Sequence, residues 1–136
     1  MADYMTREIA MPFDGVIDAV SDALATKGFE IIASIDVQAL MKNRVGAVIK
    51  PHTVLFACNP HLVWRALQIE GKVGPLLPIN VIVREKQGEY IEIAIADPVS
   101  NECDIDDIRL RNVATGVRRL LEEVLNQLCP EETPHT

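Results

Sequence analysis

The stretch INVIVREKQGEYIEIAIA, residues 79–96, decides the fold class. Apolar residues alternate with others over residues 79–86 and again over 89–96, on either side of a turn at Gln87-Gly88. This period of two predicts two strands joined as a β-hairpin. Because a hairpin pairs its strands antiparallel, a purely parallel sheet is excluded. The alternating residues are Ile79, Val81, Val83, Ile91, Ile93 and Ile95.

Upstream of this hairpin, predicted strands and helices alternate. Gly28 and Gly46 end two helices, and Asn59-Pro60 begins a third, because Gly favours the left-handed helix end while Asn and Pro suit a helix start. The predicted elements are a strand at 4–10, a helix from Pro12 to Gly28, a strand at 29–35, a helix from Asp36 to Gly46, a strand at 53–58 and a helix from Asn59 to Gly71.

Two of these strands carry predictions about their faces. The apolar residues of 29–35 alternate with polar ones, which predicts a single buried face. Those apolar residues are Phe29, Ile31, Ala33 and Ile35. By contrast, residues 53–58 are apolar on both faces, which predicts a central strand.

A long amphipathic helix closes the pattern. Asp104, Asp106 and Asp107 precede it, where carboxylates suit the positive end of a helix. Its apolar residues recur at helical spacing as far as Leu128. The order β-α-β-α-β-α-β-β-α predicts an α+β domain of two layers, in which helices cover a mixed or antiparallel sheet.

Composition bounds the classes of function. The chain has 136 residues, 49% of them hydrophobic and 24% charged, which indicates one globular domain over residues 1–128 and a polar tail at 129–136. Its formal net charge is −7. We therefore expect no nucleic-acid partner, since no basic excess is available to bind phosphates.

We expect a cytoplasmic protein without a membrane partner. Residues 1–8 carry charges of both signs and no apolar core of a signal peptide, and no apolar run is long enough to span a bilayer. The three cysteines, Cys58, Cys103 and Cys129, have neither disulfide-framework nor zinc-site spacing.

Several short motifs occur together in a familiar order. The most specific are Ala57-Cys58-Asn59-Pro60 and Leu76-Leu77-Pro78, the latter followed by Asn80-Val81. Over residues 4–128 the chain resembles domain-of-unknown-function family 302, a small bacterial and archaeal α+β family. The resemblance implies a compact layered fold that is often a homodimer, and it brings no established activity. The accompanying pieces are Ala25-Thr26-Lys27-Gly28-Phe29, Ile35-Asp36, Arg65-Ala66-Leu67 and Asp97-Pro98.

One position departs from the family pattern. The family commonly has a cysteine between Leu-Leu-Pro and Asn, where this chain has Ile79. If relatives use two cysteines together, as a redox pair or a soft-metal site, this chain lacks the second. The departure therefore weakens that role here.

Cys58 is the first candidate site residue. It ends a strand just before a helix start, so the helix dipole predicts a lowered thiol pKa and a nucleophilic thiolate. A free cysteine is also a common buried residue, and packing alone is the other interpretation. Asn59 and Pro60 have a structural account as helix cap and first-turn residue, although a helix start can also bind an anion.

His61 and Trp64 follow in the same predicted helix. His61 is close enough in sequence to form a Cys–His pair or a two-ligand metal site with Cys58, but a surface histidine is the simpler interpretation. Trp64 suits a pocket or a dimer interface, with partial burial in the core as the alternative. Pro78 and Asn80 complete the candidate ligand-binding set.

The sequence offers no catalytic motif. Phosphate-binding loops, GxSxG and HExxH are absent, and Asp104, Asp106 and Asp107 lack the further ligands of a calcium loop. No metal-ligand set is indicated by spacing, the cofactor is left open, and an enzyme is the less favoured class.

Three hypotheses follow from these residues. The first is a homodimeric binding module for a small ligand, metal or sulfur species near Cys58-Asn59-Pro60, provided that this segment and residues 77–80 converge. The second is a structural or regulatory homodimer without a ligand. The third is thiol or persulfide transfer by Cys58.

Overall fold

The elements follow one another in the predicted order. The computed structural model describes residues 3–69, 71, 74–100 and 107–129. Its strands are β1 (Tyr4–Ile9), β2 (Glu30–Asp36), β3 (His52–Cys58), β4 (Ile79–Glu85) and β5 (Ile91–Ala96). Its helices are α1 (Phe13–Thr26), α2 (Val37–Val45), α3 (Pro60–Ile69) and α4 (Ile108–Leu128). The predicted α+β class and order are confirmed.

All five strands form one antiparallel sheet in the order β1-β5-β4-β3-β2. The hairpin lies near its middle, with Val81 opposite Ile95 and Val83 opposite Ile93. Of the two predicted sheet types, mixed and antiparallel, the structure has the second. The strand in the centre is β4, and β3 lies between β4 and the edge strand β2.

The hydrophobic core lies between one face of the sheet and three helices. Val20 of α1, Ala66 of α3 and Leu121 of α4 belong to the same buried cluster as Leu55 of β3 and Val81 of β4. Every strand residue of that cluster has the same parity along its strand, so the cluster contacts a single face. We call the opposite side the open face; it carries no strand residue of this cluster.

The prediction for residues 29–35 is wrong in its second half. The pairing of β2 with β3 shifts between Ile31, which is opposite Ala57, and Ala33, which is opposite Phe56. Ile32 is therefore an extra residue, a β-bulge, and it reverses the faces beyond it. Phe29 and Ile31 pack on the core, whereas Ala33 and Ile35 turn to the open face.

The apolar pattern of 53–58 has a different cause from the predicted central position. Leu55 and Ala57 of β3 are buried in the core. Val54 and Phe56 point to the open face and are half-buried. The strand is apolar on both sides because the open face is itself apolar.

The connections follow the sequence signals closely. Asp36 caps α2 by accepting a hydrogen bond from the backbone N–H of Ala39 at 3.0 Å, and Gly46 ends that helix at φ +68°. Asp107 caps α4 in the same way, accepting from Arg109 at 2.8 Å. The hairpin turn is longer than predicted, since Lys86 N–H donates to Tyr90 O at 2.7 Å.

The remaining sequence predictions concern the ends of the described part. Leu76 is buried at 2% exposure, whereas the adjacent Leu77 is 36% exposed. Asp104, Asp106, Cys103 and the tail beyond Cys129 lie outside the described residues. Within the described residues, no helix combines the length and apolar character needed to cross a bilayer.

Candidate functional site

The two predicted site segments converge. Ala57 is paired with Ile79, and Phe56 with Asn80, so the end of β3 lies beside the start of β4. Cys58 therefore lies next to the residue that precedes β4, Pro78. The condition set by the first hypothesis is met at this end of the sheet.

Both polar groups of the Asn59 side chain form hydrogen bonds within the fold. Its side-chain amide donates to Lys27 O at 3.2 Å, and its side-chain oxygen accepts from Leu62 N–H at 3.3 Å. The first bond ties the end of α1 to β3, and the second caps α3. Since the residue is also buried, at 6% exposure, neither end of its amide is directed to a ligand.

Cys58 lies at the end of the open face. It is opposite Glu30 of β2, and its position alternates with the core residue Ala57. Burial of the thiol raises its pKa, and the nearby Glu30 carboxylate raises it further. These effects oppose the predicted lowering by the α3 dipole. The thiol is thus held in its neutral form, which is the weaker nucleophile.

His61 and Trp64 belong to a different surface. Both are exposed, and α3 packs on the core through Val63 and Ala66 instead. The prediction of partial core burial for Trp64 is wrong, because 65% of the side chain is exposed. Of the six candidate residues, Cys58 and Asn80 belong to the open face and His61 and Trp64 to the outer side of α3, while Asn59 is buried and Pro78 precedes β4.

The open face has an apolar row that the sequence analysis did not identify as a site. The row has one residue from each of the five strands, and each residue is the cross-strand partner of the next. We call these five residues the central row. Ile82 and Val54 are half-buried, Ala94 is buried at 5% exposure, and Ile35 at the β2 end is 41% exposed. The central row consists of Thr6, Ala94, Ile82, Val54 and Ile35.

A second row on the open face is charged. Glu8, Glu92, Arg84 and His52 are successive cross-strand partners, and we call them the charged row. Arg84 Nε donates to Glu92 Oε1 at 2.8 Å. Lys86 joins the row from the end of β4, with its Nζ 2.8 Å from Glu8 Oε2 and 3.7 Å from Glu92 Oε2. The hydrogen bond from Arg84 holds the pKa of Glu92 below its usual value.

His52 ends the charged row beside Arg84. Partial burial of the imidazole lowers its pKa, and the positive charge of Arg84 lowers it further. Both effects favour the neutral ring at physiological pH. The residue had no predicted role, and the only sequence signal was its place at the start of an apolar strand.

The described residues show no metal site. Over residues 3–69, 71, 74–100 and 107–129, no group of three or more His, Cys, Asp or Glu side chains is arranged to hold an ion. Asp107 of the predicted acidic group pairs with Arg109. The hydrogen bonds from Arg109 lower the pKa of the Asp107 carboxyl to about 2. Its role in this structure is to cap α4.

A sequence signal for the open face does exist. In the hairpin, the positions between the buried isoleucines and valines include Ile82, Ala94 and Ala96, which are apolar where solvated positions are usually polar. The same excess occurs at Val54 and Phe56 of β3. Read together, these outward apolar residues indicate a second, unpaired surface.

The fold defines the class first: a two-layer α+β protein in which three helices cover one face of a five-stranded antiparallel sheet. Residues 5–128 match the family described as Domain of unknown function DUF302, and the chain belongs to that family. No curated protein is similar to it in sequence.

A solved structure has the same fold. It is the crystal structure of an uncharacterized conserved protein DUF302 from Bacillus stearothermophilus, with 21% sequence identity and a TM-score of 0.83. The match covers 92% of this chain and 97% of that one. At this identity the likeness establishes the fold and leaves the activity open.

Proposed function

We propose that this chain is a homodimeric binding module whose ligand surface is the open face of the sheet. The observation that carries the proposal is the central row, an apolar band on the face that contributes no strand residue to the described core cluster. Contiguous apolar surface that is partly exposed, as this band is, marks binding sites. The working unit is the domain of residues 1–128, in the cytoplasm.

The chemistry of this face favours a small, mainly apolar ligand. Ile82, Val54 and Phe56 provide the apolar contact, and Asn80 and Cys58 provide polar groups at one end. A ligand that covers about 200 Å² of apolar surface would gain about 5 kcal/mol before the losses of binding. We therefore expect weak to moderate affinity, set by the fit at the polar end.

Cys58 acts as a contact in this proposal. Burial and Glu30 keep the thiol protonated, so the sulfur at this end of the face is uncharged, and with 8% of the residue exposed a ligand would reach only its edge. The same raised pKa opposes the third hypothesis, thiol or persulfide transfer, because that chemistry needs a thiolate.

The homodimer is supported by a second group of exposed residues. Residues 37–50, comprising α2 and its connection to β3, are named the α2 arm. Val45 is 68% exposed and Val48 is 89% exposed, and both are aliphatic. Such side chains are usually covered, and the resemblance to a family of frequent homodimers implies a second copy as the cover.

The competing candidate is a homodimer that uses the open face as its seam and binds no ligand. The central row favours it as well, since apolar sheet faces also pair with one another. The two candidates differ in whether the face is accessible in the assembled protein. That difference can be measured with an apolar probe.

The test is binding of 1-anilinonaphthalene-8-sulfonate to the folded protein, with sedimentation velocity run in parallel. We expect a dimer, saturable fluorescence, and at least tenfold weaker binding by Ile82→Glu. Trp64→Ser and Val48→Ser are matched controls from other apolar surfaces and should bind as the wild type does. A monomeric wild type would contradict the homodimer. Absence of saturable binding would contradict the ligand surface.

Native mass spectrometry of freshly purified, reducer-free protein tests the role of Cys58. An added mass that disappears in Cys58→Ala supports a ligand at this end of the face. An added mass retained in Cys58→Ala and lost in Ile82→Glu would place the ligand on the central row alone. A mass equal to that of the sequence in all three proteins would favour the homodimer without a ligand.

A further inference from the structure

Charge is distributed unevenly along this acidic chain. Residues 37–69 contain no Asp or Glu, although the chain has 20 of them. Three of the cations in that stretch, Lys42, Arg44 and Lys50, belong to the α2 arm, and all three are exposed. The arm therefore combines exposed cations with the exposed aliphatic residues Val45 and Val48.

A complementary surface lies on α1. Asp14, Asp18 and Asp22 are spaced four residues apart and are all exposed, and we call them the acid stripe. Like charges at this spacing destabilise an isolated helix by about 0.2–0.5 kcal/mol per pair. None of the ion pairs found among the described residues includes any of the three.

The two surfaces are neighbours in one molecule. An open cavity of about 630 Å³ lies between Asp14 and Asp18 of α1 on one side and Gln38, the first residue of the arm to line it, on the other; Asp36, Pro51 and His52 also line it. A twofold axis through this cavity would bring the α2 arm of each copy onto the acid stripe of the other. Such a contact is self-complementary and closes after two copies.

We propose that two copies of this chain join by reciprocal docking of the α2 arm on the acid stripe. The inference rests on the proposed homodimer and identifies its contact surfaces. Val45 and Val48 supply the apolar contact, while Lys42 and Arg44 face Asp14 and Asp18. None of the five residues of the central row lines this cavity, although His52 of the charged row does.

A second copy fits the arm better than other anionic partners do. Outside residues 37–69 the charges are 9 Lys and Arg, obtained as 13 minus 4, against 20 Asp and Glu, so the remainder carries −11. That remainder attracts the arm of another copy and opposes approach to an anionic membrane or to nucleic acid. The charge pattern is thus complementary to itself.

The test is charge exchange in the full chain, followed by sedimentation equilibrium. Lys42→Glu/Arg44→Glu alters the arm, and Asp14→Lys/Asp18→Lys alters the acid stripe. Each variant alone should dimerise at least tenfold more weakly than the wild type, and an equimolar mixture should form a heterodimer with restored affinity. Arg65→Glu/Arg119→Glu carries the same charge change as the arm variant on other exposed positions, and its dimer should persist.

The outcomes separate this inference from the proposed homodimer. A monomeric wild type overturns both. A dimer that both variants leave intact overturns only the docking surfaces. Dissociation caused by Ile82→Glu but by neither charge variant also overturns only the docking surfaces, and it would locate the dimer interface on the open face. Loss of dimer without rescue in the mixture overturns the pairing of arm with stripe. Far-ultraviolet circular dichroism of each variant confirms that the fold is retained.

Vesicle sedimentation tests whether the α2 arm binds an anionic membrane instead of a second copy. Phosphatidylserine vesicles should leave the wild type in solution, because the net charge of −7 opposes binding. Vesicle binding that Lys42→Glu/Arg44→Glu abolishes would assign the arm to a lipid surface and overturn the inference.

Discussion

Glu30 and Cys58 are direct cross-strand partners at the end of the open face, where burial raises the pKa of the thiol and the carboxylate raises it further. A carboxylate in this position disfavours the thiolate, which would place a second negative charge beside it. The strand pairing thereby counteracts the effect of the helix start that follows Cys58. Burial and the neighbouring carboxylate both disfavour the reactive thiolate at this position.

We predict that Glu30→Gln makes Cys58 more reactive. Removal of the negative charge lowers the thiol pKa, so more thiolate is present at a fixed pH. The measurement is the rate of iodoacetamide alkylation at mildly alkaline pH in a background carrying Cys103→Ser and Cys129→Ser. Glu89→Gln, an exposed change elsewhere, is the control. An unchanged rate in Glu30→Gln would show that burial alone protects the thiol.

His52 should make stability depend on pH near neutrality. Its pKa in the folded protein is lowered from the model-compound value of 6.5, so the unfolded chain binds the proton more readily. The stabilising contribution is therefore present above the unfolded pKa and is lost as pH falls from there through the lower, folded pKa. Urea unfolding at about pH 7.5 and about pH 5.5 measures the difference, which His52→Gln should reduce.

The contribution of Arg84 to the lowered pKa of His52, which adds to that of burial, can be tested separately. Arg84→Gln removes the positive charge opposite His52 and should raise the pKa of the imidazole toward its ordinary value. Nuclear magnetic resonance of the ring protons follows the titration directly. Arg65→Gln on α3 is the control, and an equal shift in both variants would argue against a local effect.

Asn59→Ala should destabilise the fold by about 1–3 kcal/mol. The substitution removes a helix cap and leaves Lys27 O without the donor that contacts it in a buried setting. Urea denaturation gives the free energy of unfolding. Asn43→Ala, on the exposed side of α2, should leave stability unchanged or raise it by a few tenths of a kcal/mol.

A cysteine at position 79 should not pair with Cys58. Ile79 is 1% exposed and faces the core opposite Ala57, whereas Cys58 belongs to the open face. Oxidised Ile79→Cys should therefore retain four titratable thiols after unfolding, three of them native. Glu30→Cys is the positive control, because its partner on the same face is Cys58. A 58–79 disulfide in the peptide map would contradict this geometry.

Local signals carried most of the fold prediction. The period of two in 79–96, the caps at Asp36 and Asn59 and the glycines at 28 and 46 each act within a few residues, and each lies where predicted. The faces of β2 were mispredicted because a bulge depends on pairing with another strand. Nothing in the sequence of 29–35 alone specifies that Ile32 is left unpaired with β3.

The candidate site was predictable only in part. The convergence of Cys58 with Pro78 follows from the order of β3 and β4, and the sequence analysis made it a condition of binding. The separation of Trp64 from that end depends on which face each side chain occupies. The open face and the acid stripe are properties of several elements together, and periodicity within one element does not report them.

The bulge at Ile32 also affects whether another strand can add to the edge of the sheet at β2. An edge strand with regular backbone groups offers a complete ladder to any passing strand, and repeated addition leads to fibres. Along β2 the register of the backbone hydrogen bonds shifts by one residue at Ile32. A straight incoming strand could therefore hydrogen-bond to the residues before the bulge or to those after it, but not to both. The bulge thus disfavours addition of a further strand at β2, an edge that carries the exposed apolar residues Ile32 and Ile35.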